Sequence, residues 1–208
     1  MEHHFKAPRT YRYYTLGDPE LADTLIIALH GYGQLAKFFI RKFEDLRNDN
    51  VFILAPEGMH RFYLEGTSGR VGASWMTKED RLNDITDNIE WLSALIESYS
   101  KRQFKKVILL GFSQGGATAA RLYSEFNGKI DHLIMWASVF PPDLESVNYP
   151  STGRDYFVVG DEDPYFKIDQ RKAAIDHYHK LRFNTLIFNG SHVVDLHHLN
   201  KILKDISE

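Results

Sequence analysis

The chain has no cysteine among its 208 residues. This absence excludes a disulfide framework, a thiolate metal site and a cysteine nucleophile. No stretch reaches the ~18 consecutive apolar residues that a membrane-spanning helix requires, so we expect no membrane span. Residues 1–14 also lack the apolar run of a signal peptide, and we therefore expect a cytoplasmic protein.

A strong excess of charge of one sign is also absent. The 25 Lys and Arg residues are nearly balanced by 28 Asp and Glu residues, which gives a net charge of −3. Sequence-independent binding of nucleic acid needs a basic surface, so we expect no nucleic-acid partner. Repeats, low-complexity tracts and linkers rich in Pro, Gly or Ser are missing too, which favours a single domain over residues 1–208.

Short apolar runs alternate with helical patterns along the chain. The runs are nearly continuous in apolar character, which is typical of strands buried on both faces of a parallel sheet. They cover residues 24–29, 51–55, 107–110, 132–137, 156–159 and 185–188, and residues 11–16 indicate an extra strand at one edge. Helical spacing is clearest over residues 82–99, with Asp80 as a candidate N-cap, and shorter over 39–46, 174–181 and 196–206. The alternation predicts an α/β fold, a doubly wound and mostly parallel sheet with helices on both faces.

The first motif with chemical meaning is Gly111-Phe112-Ser113-Gln114-Gly115, directly after the predicted strand at 107–110. A serine on a tight strand-to-helix turn projects its hydroxyl clear of the backbone, and the flanking glycines avoid steric clashes. The helix that follows directs backbone N–H groups toward developing negative charge. We therefore interpret Ser113 as the nucleophile of a serine hydrolase.

A serine hydroxyl needs an adjacent general base, and hydrolases built on this turn place serine, acid and histidine in that chain order. His192 directly follows the last predicted strand and is our candidate base, whereas the rival histidines downstream of Ser113 lie in predicted helices or open a strand. The acid belongs to the adjacent carboxylates of residues 161–163. We favour Asp163, because Pro164 imposes a defined turn, and interpret Asp161 as a brace of that turn.

A second glycine-rich motif, His30-Gly31-Tyr32-Gly33, follows the first predicted strand. This H-G-x-G pattern matches the other half of an oxyanion hole, the site that stabilises negative charge in the transition state. The predicted donors are the backbone N–H groups of Tyr32 and Gln114. The Tyr32 side chain is then left to cover the entrance, and we interpret His30 as holding the loop rather than as a second base.

These four segments together resemble the phospholipase/carboxylesterase family of α/β-hydrolases, which includes acyl-protein thioesterases and small bacterial carboxylesterases. The resemblance covers nearly the whole chain, and the string Gly-Phe-Ser-Gln-Gly-Gly at 111–116 is much more specific than G-x-S-x-G alone. It implies a compact α/β-hydrolase without a large cap that hydrolyses small-molecule esters or thioesters of short to medium acyl chains. It also implies no cofactor or metal, and the family often forms homodimers.

Two positions depart from the family's pattern. Gln34 stands where the family has an acidic residue, and Trp75-Met76 retains only one of two aromatic residues. We expect residues 58–75 to form a substrate-covering loop, with Trp75, Tyr63 and Arg70 as candidate substrate contacts. Core packing is the alternative for Trp75, and a solvated surface position is the alternative for Arg70.

Three functions remain open on this evidence. The first is a carboxylesterase or thioesterase, and the second is a lysophospholipase, peptidase or other small-molecule acyl hydrolase. The third is a non-catalytic binding protein on a hydrolase scaffold, since a fold does not fix a function. The complete set of catalytic groups favours an enzyme.

Overall fold

The computed structural model describes residues 1–47, 50–144 and 154–206. Nine strands lie in these ranges, and seven of them form one sheet in the order β1-β3-β2-β6-β7-β8-β9. Their bounds are β1 Tyr13–Leu16, β2 Thr24–Leu29, β3 Val51–Pro56, β4 His60–Glu65, β5 Ser68–Ser74, β6 Lys106–Phe112, β7 His132–Trp136, β8 Tyr156–Gly160 and β9 Asn184–Phe188.

Five α-helices connect these strands within the same ranges. They are α1 Ala36–Phe39, α2 Arg81–Ser98, α3 Gln114–Glu125, α4 Ile168–Lys180 and α5 Leu196–Asp205. Short 3₁₀ segments follow at Ile40–Leu46, Ser100–Arg102 and Pro142–Leu144. No helix among these is long and apolar enough to cross a membrane.

The sheet is parallel except at one edge. The edge strand β1 pairs antiparallel with β3, with Tyr13 opposite Pro56, whereas β2, β3, β6, β7, β8 and β9 run parallel. This confirms the predicted α/β fold, including the extra edge strand. Because the parallel strands share a direction, the loops after β2, β6, β8 and β9 open at the same end of the sheet.

Apolar side chains of alternate strand positions fill a core on each face of the sheet. In β2, Leu25 and Ile27 join the layer that packs under α2, α3 and α4. Ile26 and Ala28 point the other way, into the layer covered by α1 and α5. The central strands are therefore buried on both sides, which explains why they read as continuous apolar runs.

The main difference from the sequence prediction is at residues 58–75. This segment is an antiparallel hairpin of β4 and β5, with positive φ angles of 66° at Gly66 and 87° at Gly69. Its outer half is exposed, so it lacks the apolar run by which the buried strands were predicted. The predicted substrate-covering loop is thus a regular two-stranded element.

The start of α2 also differs in detail from the prediction. The helix begins after Asp80 as expected, but Asp80 has a left-handed backbone with φ 49° and makes no side-chain capping bond. Its carboxylate instead accepts a hydrogen bond from the Asn83 side chain at 2.9 Å. The predicted position is correct, whereas the predicted capping interaction is not present.

Candidate active site

Ser113 occupies the sharp turn between β6 and α3. Its backbone has φ 54° and ψ −121°, a conformation that residues other than glycine rarely adopt. The Ser113 N–H donates to the Trp136 carbonyl at 2.8 Å, and the Ser113 carbonyl accepts from Gly116 N–H at 2.9 Å. Such strain costs roughly 1–3 kcal/mol and persists only where the surrounding structure imposes it. The predicted strand, turn and helix are therefore present around the candidate nucleophile.

Two glycines allow this turn to pack closely against its neighbours. A Cβ atom on Gly111 would lie 2.4 Å from the Gly116 Cα atom, and one on Gly115 would lie 2.4 Å from the Leu29 carbonyl oxygen. Both distances are too short for any side chain. The glycines of the motif thus let the start of α3 approach the end of β2, which precedes the oxyanion loop.

The predicted base and acid are brought together from the loops after β9 and β8. The His192 Nδ1–H group donates to Asp163 Oδ2 at 2.7 Å, and the Asp163 side chain is fully buried. Asp163 Oδ1 accepts from the Tyr165 N–H at 2.9 Å, so both carboxylate oxygens are held. This pairing fixes the imidazole with Nε2 as its unprotonated nitrogen.

The His192 ring lies next to the nucleophile turn. Its centroid is 4.8 Å from that of Phe112, the residue before Ser113, and 4.6 Å from that of Tyr165. About a fifth of its side chain, 18%, is exposed, whereas the carboxylate behind it is not. The imidazole is therefore held between two aromatic rings with one side open to a substrate.

Asp161 braces the loop that carries His192, whereas its sequence position had indicated a brace of the acid's own turn. Its side chain accepts a hydrogen bond from Gly190 N–H at 3.0 Å. The neighbouring Glu162 N–H donates to the Gly190 carbonyl at 2.9 Å, and Asp161 N–H donates to Phe188 at 2.9 Å. These bonds tie the acid loop to the base loop, so Asp161 and Asp163 have different tasks.

The oxyanion loop lies directly against the nucleophile. A Cβ atom on Gly31 would lie 3.2 Å from the Ser113 Cβ atom. Gly31 N–H donates to Gln34 Oε1 at 3.1 Å and Gly33 N–H to the Ala73 carbonyl at 2.8 Å. Within the described ranges, the Tyr32 N–H between them has no hydrogen-bond acceptor. Gln114 is the first residue of α3, where a backbone N–H has no partner inside the helix.

Trp75 connects the start of α3 to the oxyanion loop through hydrogen bonds. Its backbone N–H donates to Gln114 Oε1 at 3.1 Å, and its indole N–H donates to the His30 carbonyl at 2.8 Å. Its own carbonyl accepts from the Asn88 side chain at 2.7 Å. Trp75 is 0% exposed. The structure therefore supports the core-packing alternative and does not support the predicted substrate contact.

The Gln114 side chain adds further bonds to the same segment. Its Nε2 group donates to Ser74 Oγ at 3.0 Å and to the Met76 carbonyl at 2.8 Å. The sequence motif indicated a role only for the Gln114 backbone and no hydrogen bond from its side chain to Ser74 or Met76. The signal that could have indicated these bonds is the Gln of the Gly-Phe-Ser-Gln-Gly-Gly string. The oxyanion hole uses only its backbone N–H, so its side chain is available for another contact.

His30 holds its loop and is unsuited to act as a base. Its Nε2 atom accepts from Gly58 N–H at 2.9 Å, while Nδ1–H donates to the Gly31 carbonyl at 2.8 Å. The bond accepted at Nε2 requires the neutral ring, and burial lowers the His30 pKa from 6.5 to about 4. The structure thus supports the interpretation that His30 is structural.

The other two candidate substrate contacts lie on the exposed hairpin. Tyr63 of β4 is 49% exposed and lines a cavity with Phe62 and Lys37. Arg70 of β5 forms an ion pair with Glu65 at 3.4 Å, with both side chains largely in solvent. The Tyr32 ring, 60% exposed, contacts Phe62 at 5.1 Å between centroids. A role for Tyr63 and Arg70 in binding substrate remains a prediction.

A groove of about 480 Å³, which we call the neutral groove, opens beside Tyr165. Its lining is mostly apolar and includes Val139, Phe140 and Pro141 from the loop after β7 and Ala174 from α4. Val139 and Tyr165 are 68% and 72% exposed. Because Tyr165 also contacts His192, this neutral groove lies beside the candidate base.

The sheet order, the turn at Ser113 and the loops around it define an α/β-hydrolase. The chain matches the family described as serine hydrolase (FSH1) over residues 22–198 and therefore belongs to that family. By this membership it is a hydrolase enzyme. No curated protein matches the chain by sequence.

Several solved structures share the fold at low sequence identity. Acyl-protein thioesterase 2 from Zea mays superposes with a TM-score of 0.69 at 16% identity, covering 94% of this chain and 97% of the other. A phospholipase/carboxylesterase from Dyadobacter fermentans gives 0.67 at 14%, covering 98% and 99%. The Bacillus cereus carboxylesterase gives 0.65 at 13%, covering 94% and 91%. These neighbours confirm the predicted α/β-hydrolase fold.

Proposed function

We propose that this hydrolase cleaves carboxylic esters or thioesters of short to medium acyl chains through an acyl-enzyme on Ser113. The observation that carries the proposal is the buried Asp163–His192 pair, bonded at 2.7 Å beside the strained turn of Ser113. Strain at this one residue and a fixed imidazole next to it serve nucleophilic catalysis. No cofactor has a part in the proposed reaction.

In the proposed mechanism, Ser113 Oγ attacks the substrate carbonyl while His192 Nε2 accepts the hydroxyl proton. Asp163 keeps the other imidazole nitrogen protonated and stabilises the imidazolium that forms. The N–H groups of Tyr32 and Gln114 donate to the oxyanion, and each such donor contributes about 3–4 kcal/mol in comparable enzymes. His192 then protonates the leaving group, and a water molecule activated by the same imidazole releases the acid.

The neutral groove beside Tyr165 is suited to bind an apolar substrate chain. Its volume of about 480 Å³ is within the range of small-molecule pockets, and its walls are mostly apolar. Burying each CH₂ group of a chain contributes about 0.8 kcal/mol. We therefore expect kcat/KM to rise with chain length across a series of p-nitrophenyl esters until the groove is filled.

Labelling by a fluorophosphonate probe tests the proposal. We expect the folded wild-type enzyme to be labelled at Ser113, and labelling to disappear in Ser113→Ala and slow strongly in His192→Ala. Ser138→Ala is the matched control, since Ser138 is a buried serine of a neighbouring loop. An unlabelled wild type that is folded by circular dichroism would instead favour a non-catalytic binding protein.

A parallel panel separates the substrate classes. Matched oxygen esters, acyl-CoA thioesters and lysophospholipids with the same acyl chain would be compared by kcat/KM. We expect turnover of the simple esters or thioesters. Turnover confined to lysophospholipids would reject the proposed class while leaving Ser113 as the nucleophile.

A further inference from the structure

A second groove, of about 880 Å³, lies on the opposite side of the oxyanion loop from the neutral groove. One wall is the end of the oxyanion loop with α1 and the 3₁₀ segment that follows. The other wall is the outer hairpin, through Leu64 and Arg70. We call it the cationic groove, because its charged lining residues, Lys37, Arg41, Lys42 and Arg70, are all basic.

The positive charge of this groove is largely uncompensated. Across residues 1–47, 50–144 and 154–206, Lys37, Arg41 and Lys42 form no ion pair. Only Arg70 has an acidic partner, Glu65 at 3.4 Å, and that pair is largely exposed and therefore weak. In a chain with a net charge of −3, this groove is a local concentration of the opposite sign. Such a concave patch attracts anions.

The groove also has an apolar surface beneath its charges. Phe38 is 51% exposed and Leu64 is 39% exposed. The Lys37 Nζ atom lies 4.7 Å and the Arg41 Cζ atom 5.4 Å from the centre of the Phe38 ring. Cations held over an aromatic ring lose part of their freedom before any ligand binds. The surface therefore suits an anionic group on an apolar stem rather than a free inorganic ion.

The groove begins close to the nucleophile. Gln34, which lines it, accepts a hydrogen bond from Gly31 N–H at 3.1 Å, and Gly31 lies against Ser113. The three peptide links from Gly31 to Gln34 span at most about 11 Å. An ester whose carbonyl sits at Ser113 could thus reach the cationic groove with a chain of moderate length.

We propose that the cationic groove binds a carboxylate or phosphate carried by the substrate, and so selects anionic esters or thioesters. This rests on the proposed function of Ser113. Lys37 and Arg41 contact the anion, while Phe38 and Leu64 cover the apolar stem. The neutral groove has no comparable charge, which gives the two ends of the substrate different environments.

Steady-state kinetics with three esters test this proposal and identify the end that bears the anion. The neutral reference is p-nitrophenyl octanoate. The p-nitrophenyl monoester of suberic acid carries a carboxylate on the acyl chain, and the octanoyl ester of 4-hydroxybenzoate carries one on the leaving group. Each is assayed with wild type, with the double variant Lys37→Glu/Arg41→Glu, and with the control Lys101→Glu/Lys201→Glu, which makes the same change in net charge at exposed positions elsewhere.

We expect the groove variant to lose about tenfold in kcat/KM for at least one anionic ester, mainly through KM, because two attractive charges become repulsive. The neutral ester should stay within about twofold, and the control variant should resemble wild type with all three esters. High salt should reduce the wild-type preference. Equal losses in the two charge variants, or no loss in either, would overturn the cationic groove. If the proposed function of Ser113 is wrong, the result differs, because neither the wild type nor any variant would hydrolyse any of the three esters.

Discussion

Two regions flank the candidate nucleophile and differ in how they are held. Below it lies the oxyanion scaffold, His30, Trp75 and Gln114, which is tied together by side-chain hydrogen bonds of 2.8–3.1 Å. Beside it lies the hairpin face, which consists of Leu64 and Arg70 of the hairpin with Phe38 of α1 and is largely exposed. The first region fixes the geometry in which charge develops, whereas the second presents a surface for recognition. Changes in the scaffold should therefore alter kcat, and changes on the hairpin face should alter KM.

The largest effect is expected at Asp163, the acid that is bonded to His192. Asp163→Asn keeps the shape of the side chain but removes the charge that orients and stabilises His192, and we expect kcat to fall by roughly 10³–10⁴. Asp161→Asn is the matched control, because Asp161 braces the loop through Gly190 and does not contact the imidazole. Turnover of p-nitrophenyl butyrate checks both variants. A larger loss of kcat in the Asp161 variant would indicate that Asp161, rather than Asp163, is the acid that supports His192.

The next effect concerns stability in acid. Burial lowers the His30 pKa in the folded protein from 6.5 to about 4, so the unfolded chain takes up the proton first as the pH falls. The stabilisation is complete above pH ~6.5 and is lost as the pH falls toward 4, by about 3 kcal/mol in total. Urea unfolding at several pH values measures it. His30→Gln should be less stable at pH 7 but show a shallower acid dependence, and an unchanged slope would contradict this account.

A smaller effect is expected where the Gln114 side chain bonds to the segment below it. Gln114→Leu leaves the backbone donor in place but removes the acceptor for Trp75 N–H. We expect kcat to fall by roughly 10–10²-fold with little change in KM, because small displacements of catalytic groups are costly. Ser74→Ala removes only one of these bonds and should lose less. A rise in KM without a change in kcat would place Gln114 with the hairpin face instead.

The central strands could be predicted from the sequence because burial on both faces makes them continuous apolar runs. The prediction for residues 24–29 agrees with β2 as the structure has it. The hairpin could not be predicted this way, since β4 and β5 are half exposed and include Arg61, Glu65 and Arg70. Its two strands pair with each other, and a bridge between Gln34 and Ala73 joins β5 to the oxyanion loop.

In the candidate site, too, some residues could be predicted from the sequence and others could not. Ser113, Asp163 and His192 could be proposed because each lies in a short motif at the end of a predicted strand. The role of Trp75 could not, because its hydrogen bonds reach residues 39 and 45 positions away in the chain. Sequence spacing within a motif reports local geometry, whereas this network exists only after the sheet has formed.

The most direct test of the account is the mass of the enzyme during turnover. Rapid mixing with a p-nitrophenyl ester, followed by acid quench and intact mass spectrometry, should show a species heavier by one acyl group, located on the peptide that contains Ser113. The species should be absent in Ser113→Ala. Turnover of the ester by Ser113→Ala at the wild-type rate, or an acyl group on another residue, would contradict the claim that Ser113 is the nucleophile.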